Sequence, residues 1–320
     1  MTSVTSTGEL ADRERLAARL LGASAEHSFD PMVEVDWDAP LVDGMFFAPP
    51  HRLTLYGTDL WTAMSHHQRV ELSRHEVASI ASVGIWFELV LMQLLLRHAY
   101  DLEPTSRHVQ YALTEIGDEC RHSVMFGRMI EKLGCPAYGP GRYEHELGRL
   151  IKTATSGASM FAAILIAEEI LDALQREAMA DENIQPLVRT VTRIHVVEES
   201  RHVRYAREEL VRQLAHTSRS ALAVTRLFVA RSAYIIGTRL VHPDVYPAVG
   251  LDRGLARAAA RANQQYRATL CWAARRLVPF FDEVGLLGGP GMVLWRRAGL
   301  VGQQADRCTD ITRLPDHRPG

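Results

Sequence analysis

The stretch His195–His202 reads HVVEESRH, and it decides the fold because part of it is repeated earlier in the chain. The spacing Glu-x-x-His occurs twice in the sequence, at Glu199–His202 and, within DECRH, at Glu119–His122. The two copies lie 80 residues apart. Residues three apart on a helix share one face, so each copy projects a carboxylate and an imidazole toward one point. The chain therefore carries a two-fold repeat of acidic and imidazole groups.

Two isolated carboxylates repeat at the same interval. Glu88 lies in the apolar segment IASVGIWFELVLMQLLL (80–96), and Glu168 lies in SMFAAILIAEEILDAL (159–174), again 80 residues later. A carboxylate in a dry apolar core is costly unless something compensates its charge. These two acids are therefore the first indication of a functional site.

The turns between the repeated motifs predict how the helices pair. Each isolated glutamate precedes the glutamate of its Glu-x-x-His by 31 residues, and the polar segments DLEPTS (101–106) and DENIQP (181–186) fall midway. Equal numbers of residues then run down one helix and up the next, which predicts two αα-hairpins with facing carboxylates. Long helical periodicity from Trp61 onward, with little β-type alternation, predicts an all-α protein.

Two such hairpins give the ligand pattern of di-iron and di-manganese proteins built on a ferritin-like four-helix bundle. Oxygen and imidazole ligands suit iron or manganese better than a metal that prefers thiolates. A lone Glu-x-x-His is common on solvated helices, but the recurrence of six residues as three pairs at one interval favours a dinuclear site. The candidate ligands from the repeat are Glu88, Glu119, His122, Glu168, Glu199 and His202.

His195 breaks the repeat, because the residue 80 positions earlier is Glu115. It lies four residues before Glu199 on the same helical face, so it is expected to face the metals. The alternative is a histidine that supports a ligand or lies at the surface. The acids that precede the two Glu-x-x-His glutamates, Asp118 and Glu198, are expected to orient a ligating imidazole through its other ring N–H.

Composition and charge exclude several classes of protein. Lys and Arg total 36 against 38 Asp and Glu, a net charge of −2 with no long block of one sign, so no nucleic-acid partner is expected. Four scattered cysteines and the lack of a secretory signal in the first thirty residues predict a cytoplasmic protein. The acid within segment 80–96 argues against a membrane span.

The expected organisation is one helical domain with extensions at both ends. Residues 1–45 show no sustained period and are predicted to form an N-terminal arm, with little chemistry expected there. Residues 46–301 are predicted to form the helical domain, with its ligand core at about 80–215 and further helices, such as one over 252–284, following the bundle. Residues 302–320 are predicted to form a flexible tail.

These motifs resemble those of the p-aminobenzoate N-oxygenases, the AurF-like non-haem diiron oxygenases of natural-product pathways. The resemblance covers roughly residues 60–215, and HVVEESRH is its most specific part, because generic ferritin-like diiron proteins lack the additional histidine. The resemblance implies seven iron ligands and no catalytic side chain beyond them. They are Glu88, Glu119, His122, Glu168, His195, Glu199 and His202.

The resemblance also implies an activity. In this family two iron ions activate O₂, which oxidises an arylamine through a hydroxylamine toward a nitroso or nitro product. A role in antibiotic biosynthesis is then expected. Electrons must come from an external donor, because the sequence has neither a dinucleotide-binding fingerprint nor an iron–sulfur cysteine cluster. A homodimer is compatible with the sequence, which does not define the oligomeric state.

Two alternatives use the same bundle. A ferritin-like iron-storage protein would share the ligands, although the helices beyond residue 252 are surplus to a cage subunit. A different diiron oxidase, such as a C–H hydroxylase, a desaturase or a radical-generating reductase subunit, would also share them. His195 argues against those enzymes without excluding hydroxylation.

Overall fold

The computed structural model describes residues 7–302 of the chain, and within that range it is all-α with no β-strand. The predicted fold class, a ferritin-like helical bundle, is confirmed. In chain order the α-helices are α1 (Thr7–Glu26), α2 (Pro31–Glu34), α3 (Asp59–Ala63), α4 (His66–Tyr100), α5 (Arg107–Lys132), α6 (Arg142–Ala154), α7 (Gly157–Ala180), α8 (Pro186–Ala215), α9 (Arg219–Arg239), α10 (Arg253–Ala262), α11 (Gln264–Ala273), α12 (Leu277–Glu283) and α13 (Met292–Ala298).

The four-helix centre consists of the two hairpins that the turn positions predict. Helix α4 packs mainly against α5, and α7 packs mainly against α8. Their connections cover residues 101–106 and 181–185, as expected. Ser65 starts α4 with a capping box that includes Gln68, and Pro186 occupies the first turn of α8, where its missing N–H costs nothing. Contacts between α5 and α8 and between α4 and α7 join the hairpins into one bundle.

The N-terminal region differs from the expected arm. Helix α1 has 20 residues, lies within the region predicted to be an arm, and packs against α5 and α8. Leu16, Ala17 and Leu20 are buried in the main apolar core. The run of apolar residues in α1 is short and lies among charged residues, so it gives no clear helical periodicity in the sequence. Residues 1–6 lie outside the described part of the chain, and the predicted domain boundaries at 45 and 301 stay predictions.

The C-terminal region also differs in detail. The sequence predicts one long helix over 252–284, whereas the structure has three shorter helices, α10, α11 and α12. Asn263 makes the first break, because its side chain caps the backbone N–H of Gln265 and donates to the carbonyls of Thr54 and Tyr56. Helices α9, α11 and α12 cover α7, and α13 packs on α9. The predicted tail falls mainly on residues 303–320, which lie outside the described residues.

Within residues 7–302, two segments are long and apolar enough to cross a membrane, His66–Tyr100 and Arg219–Val249. In the first, half of the apolar window is buried inside the protein, and in the second one third is buried. Helix α4 also carries a buried acid, Glu88, and packs along α5, which is the environment of a core helix. The absence of a membrane partner stays a prediction.

We expect α1 to contribute to global stability through Arg13, whose guanidinium contacts both carboxylate oxygens of the buried Glu209 at 2.8 and 2.7 Å. Among the described residues, Arg13→Ala leaves that carboxylate with only Arg212 as a partner, so the free energy of unfolding should fall by roughly 1–3 kcal/mol. Arg15→Ala is the control, because Arg15 and its partner Asp12 are mostly exposed and the change should cost under about 0.5 kcal/mol. Urea unfolding measures both variants. Equal losses would show that α1 is not anchored through Glu209.

Candidate metal centre

The four central helices each contribute to one buried cluster of acids and imidazoles. Helix α4 supplies Glu88 and α7 supplies Glu168, while α5 and α8 supply the two Glu-x-x-His pairs. All seven residues singled out in the sequence are at most 3% exposed. The structure therefore brings together side chains separated by up to 114 positions in the chain.

Two glutamates lie at the centre of this cluster. The two carboxylate oxygens of Glu119 lie 3.2 Å from Nδ1 of His122 and 3.0 Å from Nδ1 of His202. Glu199 Oε1 lies 2.9 Å from Nδ1 of His202 and 3.5 Å from Nδ1 of His122. Each carboxylate thus reaches the imidazoles of both helices, a position from which it can bridge two ions.

The outer nitrogens of the two imidazoles bind acids on the opposite helix. Nε2 of His122 lies 2.7 Å from Glu198 on α8, and Nε2 of His202 lies 3.1 Å from Asp118 on α5. The expected contact of Asp118 and Glu198 with the outer ring N–H groups is confirmed, although each acid serves the histidine of the other helix. This pairing points both Nδ1 atoms toward the centre of the cluster.

The N-terminal region contacts the acids that bind the two imidazoles, Asp118 and Glu198, which the sequence did not suggest. The backbone N–H of Phe29 donates to Glu198 at 3.0 Å, and Arg201 donates to the carbonyl oxygen of His27 at 3.1 Å. Arg121 also contacts both Asp118 and Glu198. The segment after α1 therefore helps to position the groups that orient the two imidazoles.

His195 faces the cluster, as its helical phase predicts. Its Nε2 atom lies 3.6 Å from Glu88 and 3.7 Å from Glu199, and its ring centroid lies 4.6 Å from that of His122. The alternative of a surface histidine is wrong, because His195 is 1% exposed. The ring of Phe126 packs on its other side, with centroids 5.0 Å apart.

The donor atoms fit metal ions. In the described part of the chain, four groups of three donors have their atoms within 4.8 Å of one another: Glu88, His122 and His195; Glu115, Glu119 and His202; Glu119, His122 and Glu199; and Glu168, His195 and Glu199. Several of these buried atoms, including Glu115 Oε2 and Glu199 Oε2, make no hydrogen bond with any residue of the described range. Buried polar atoms without partners are rare and costly, and cations at the centre would satisfy them.

Protons compensate the charge of the metal-free cluster. Burial, reinforced by the nearby Glu119, raises the pKa of Glu88 to about 8, and burial also raises the pKa of Glu168. Burial opposes protonation of His122, but hydrogen bonds to Glu119 and Glu198 outweigh it and raise its pKa to about 10. Bound cations would replace these protons.

Two further buried acids near the seven residues differ in position, since one lies outside the cluster and the other lies in it. Glu169, next to Glu168, points away from the cluster and forms a two-point ion pair with Arg207, at 2.8 and 2.6 Å. Glu115, which the sequence marks only as the counterpart of His195, lies in the cluster and is 1% exposed. Its position 80 residues before His195 was the signal for it.

An apolar cavity adjoins the cluster and was not predicted from the sequence. Its walls include Gly84, Phe126, Leu171 and Thr192. Gly84, Leu171 and Thr192 each lie about one helical turn from a cluster residue, and Phe126 contacts His195. The cavity therefore approaches the cluster from the side of His195.

Comparisons with known proteins agree with this geometry. An uncharacterised protein of Mycobacterium bovis and two of Mycobacterium tuberculosis are each 24% identical to the chain over 306 residues, covering 92% of this chain and 89% of theirs. The sequence signature of the p-aminobenzoate N-oxygenase AurF matches residues 10–285. This match includes all of the cluster. The chain belongs to the AurF family, a family of diiron enzymes.

Proposed function

We propose that the protein is a diiron oxygenase that uses O₂ to N-oxygenate an aromatic amine. The observation that carries the proposal is the single buried cluster in which His195 joins the duplicated Glu and Glu-x-x-His set beside an apolar cavity. Family membership supports it, because the arrangement of HVVEESRH is the part of the sequence that separates this family from other ferritin-like diiron proteins.

The seven residues would hold two iron ions. Glu119 and Glu199, which reach both imidazoles, are the candidates for bridging carboxylates. Glu88 would bind from α4 and Glu168 from α7, and the imidazoles of His122, His195 and His202 would complete the set. When bound, the two ions supply the redox chemistry that activates O₂, which no amino-acid side chain performs by itself.

The protein's own residues would orient these ligands and keep water out. Ser123 donates a hydrogen bond to Glu88 at 2.6 Å, and the pairs His122–Glu198 and His202–Asp118 fix the imidazoles. The apolar lining of α7 around Glu168 is almost fully buried. A preorganised site without free water protects an oxidising centre from side reactions.

The cavity would hold the substrate with its amine toward the cluster. An aromatic ring suits the apolar wall formed by Phe126, Leu171 and neighbouring aliphatic residues. The amide oxygen of Gln175 and the hydroxyl of Thr269, which also line the cavity, are buried without hydrogen-bond partners. These two atoms are available to a polar substituent on the substrate.

The overall reaction needs an external reductant. Conversion of the amine to a hydroxylamine inserts one oxygen atom of O₂ into an N–H bond and releases the other as water, which consumes two electrons and two protons. The four cysteines are too widely spaced to suggest an internal iron–sulfur relay. A cytoplasmic reductant, and a role in natural-product biosynthesis, are part of the proposal.

The first prediction concerns metal content. Anaerobic loading with Fe²⁺ should give about two iron atoms per chain, and Glu168→Gln should lower that number because it removes a charged oxygen ligand. Glu169→Gln is the matched control, since the neighbouring acid is equally buried but is paired with Arg207. Elemental analysis of desalted protein measures both. A wild-type stoichiometry of one or zero, or equal losses in the two variants, would contradict the diiron assignment.

The second prediction concerns pH. At pH 7 the metal-free protein holds protons on Glu88, with a pKa of about 8, and on His122, with a pKa of about 10. Iron must displace these protons and the proton that burial favours on Glu168, so the affinity for Fe²⁺ should rise between pH 6 and pH 8 with release of at least two protons per chain. Anaerobic calorimetry in buffers of different ionisation enthalpy counts the protons. Binding heats that are independent of the buffer, with a constant affinity, would rule this out.

The third prediction tests the reaction and its cavity. Protein loaded with iron, reduced and given O₂ should convert members of an arylamine panel to N-oxygenated products, detected by mass spectrometry. Gly84→Leu should raise the KM, because its side chain enters the cavity beside Phe126, while iron content stays unchanged. Gly127→Leu is the control, since that position is exposed and has open space around it.

Other outcomes of this assay are equally informative. Oxidation only at carbon would refute the N-oxygenase assignment and favour the C–H hydroxylase. Iron uptake without turnover of any organic substrate would favour storage.

A further inference from the structure

We propose that Glu115 is an eighth metal ligand, the carboxylate counterpart of His195 in the other half of the repeat. The proposal rests on the diiron site described above and adds a residue outside the seven that the family resemblance implies. It gives each half of the bundle four donors instead of four in one half and three in the other.

The position of Glu115 in the repeat is the first observation. It lies 80 residues before His195, the same interval that relates the other three pairs of donors. On α5 it precedes Glu119 by four residues and His122 by seven, so all three share one face. Two pseudo-equivalent helices that pack against each other therefore present their fourth donor at equivalent places.

The surroundings of Glu115 are the second observation. Its side chain is 1% exposed, and its Oε2 atom makes no hydrogen bond. The hydroxyl of Tyr111, one turn earlier on α5, is also buried without a partner and donates nothing to Glu115. No arginine or lysine forms an ion pair with Glu115 among residues 7–302. A buried carboxylate oxygen without a hydrogen-bond partner is stabilised by a proton or by a cation, so Oε2 of Glu115 is free to bind a metal ion.

The donor geometry is the third observation. Donor atoms of Glu115, Glu119 and His202 lie within 4.8 Å of one another, as do those of Glu88, His122 and His195 on the other side. The 80-residue interval relates the second group to Glu168, His202 and Glu115, and the donor atom of Glu168 also lies within 4.8 Å of those of His195 and Glu199. One ion would then have two imidazoles and one terminal carboxylate, and the other one imidazole and two terminal carboxylates.

This arrangement makes the two iron positions chemically unequal. The position on the Glu115 side has one more negative oxygen donor and one fewer neutral nitrogen, so it binds ferric iron more strongly relative to ferrous iron than the other position does. The asymmetry resides in a single exchange of residue type, glutamate for histidine, within an otherwise matched pair of helices.

The test uses full-length protein loaded anaerobically with ⁵⁷Fe²⁺. The wild type should bind two irons that give two distinct quadrupole doublets in the Mössbauer spectrum. Glu115→Gln should lower the affinity for one of the two irons by more than the roughly 10- to 100-fold caused by losing a residue that only hydrogen-bonds a ligand. It should alter one doublet only. His195→Gln should alter the other doublet. Glu76→Gln, a change at another buried acid, should leave both irons in place.

Glu115→His is the second variant, because it gives both halves the same donors. It should retain two irons and bring the two doublets together, and circular dichroism checks that each variant is folded. Wild-type affinity and unchanged doublets in Glu115→Gln, or two unchanged doublets in Glu115→His, would overturn the proposal and leave the diiron assignment intact. Fewer than two irons in the wild type would overturn both.

Discussion

The structure depends on the compensation of charge in the middle of an apolar bundle. Helices α4 and α7 are among the most apolar segments of the chain, yet each carries a buried glutamate into a space that already contains two Glu-x-x-His pairs. Burial raises the pKa of Glu88, so that without cations a proton neutralises this carboxylate. Two metal ions would satisfy the same atoms and link four helices at one point.

The reciprocal pairing of His122 with Glu198 and His202 with Asp118 converts this requirement into a defined geometry. Because each imidazole is held by an acid on the opposite helix, α5 and α8 cannot slide past each other without breaking both contacts. The same contacts extend to the segment after α1, through Phe29 and Glu198. The scaffold and the candidate site are therefore stabilised by one network.

Much of this could be predicted from the sequence, because the repeat interval carries spatial information. The positions of the two turns follow from the polar segments at the midpoints of the repeated intervals, and the inward face of His195 follows from helical periodicity. Helix α1, the break at Asn263 and the apolar cavity could not be predicted, since they depend on contacts between residues distant in the chain, such as Asn263 with Thr54. Glu115 was visible as a position in the repeat, but only the distances of its donor atom to those of Glu119 and His202, within 4.8 Å, show that it belongs to the cluster.

Anomalous diffraction at the iron edge, from crystals of protein loaded anaerobically with Fe²⁺, tests the dinuclear site directly. We expect two iron peaks between α5 and α8, each in contact with Glu119 or Glu199, one on the side of Glu88 and the other on the side of Glu168. A single peak, or peaks outside this cluster, would contradict it.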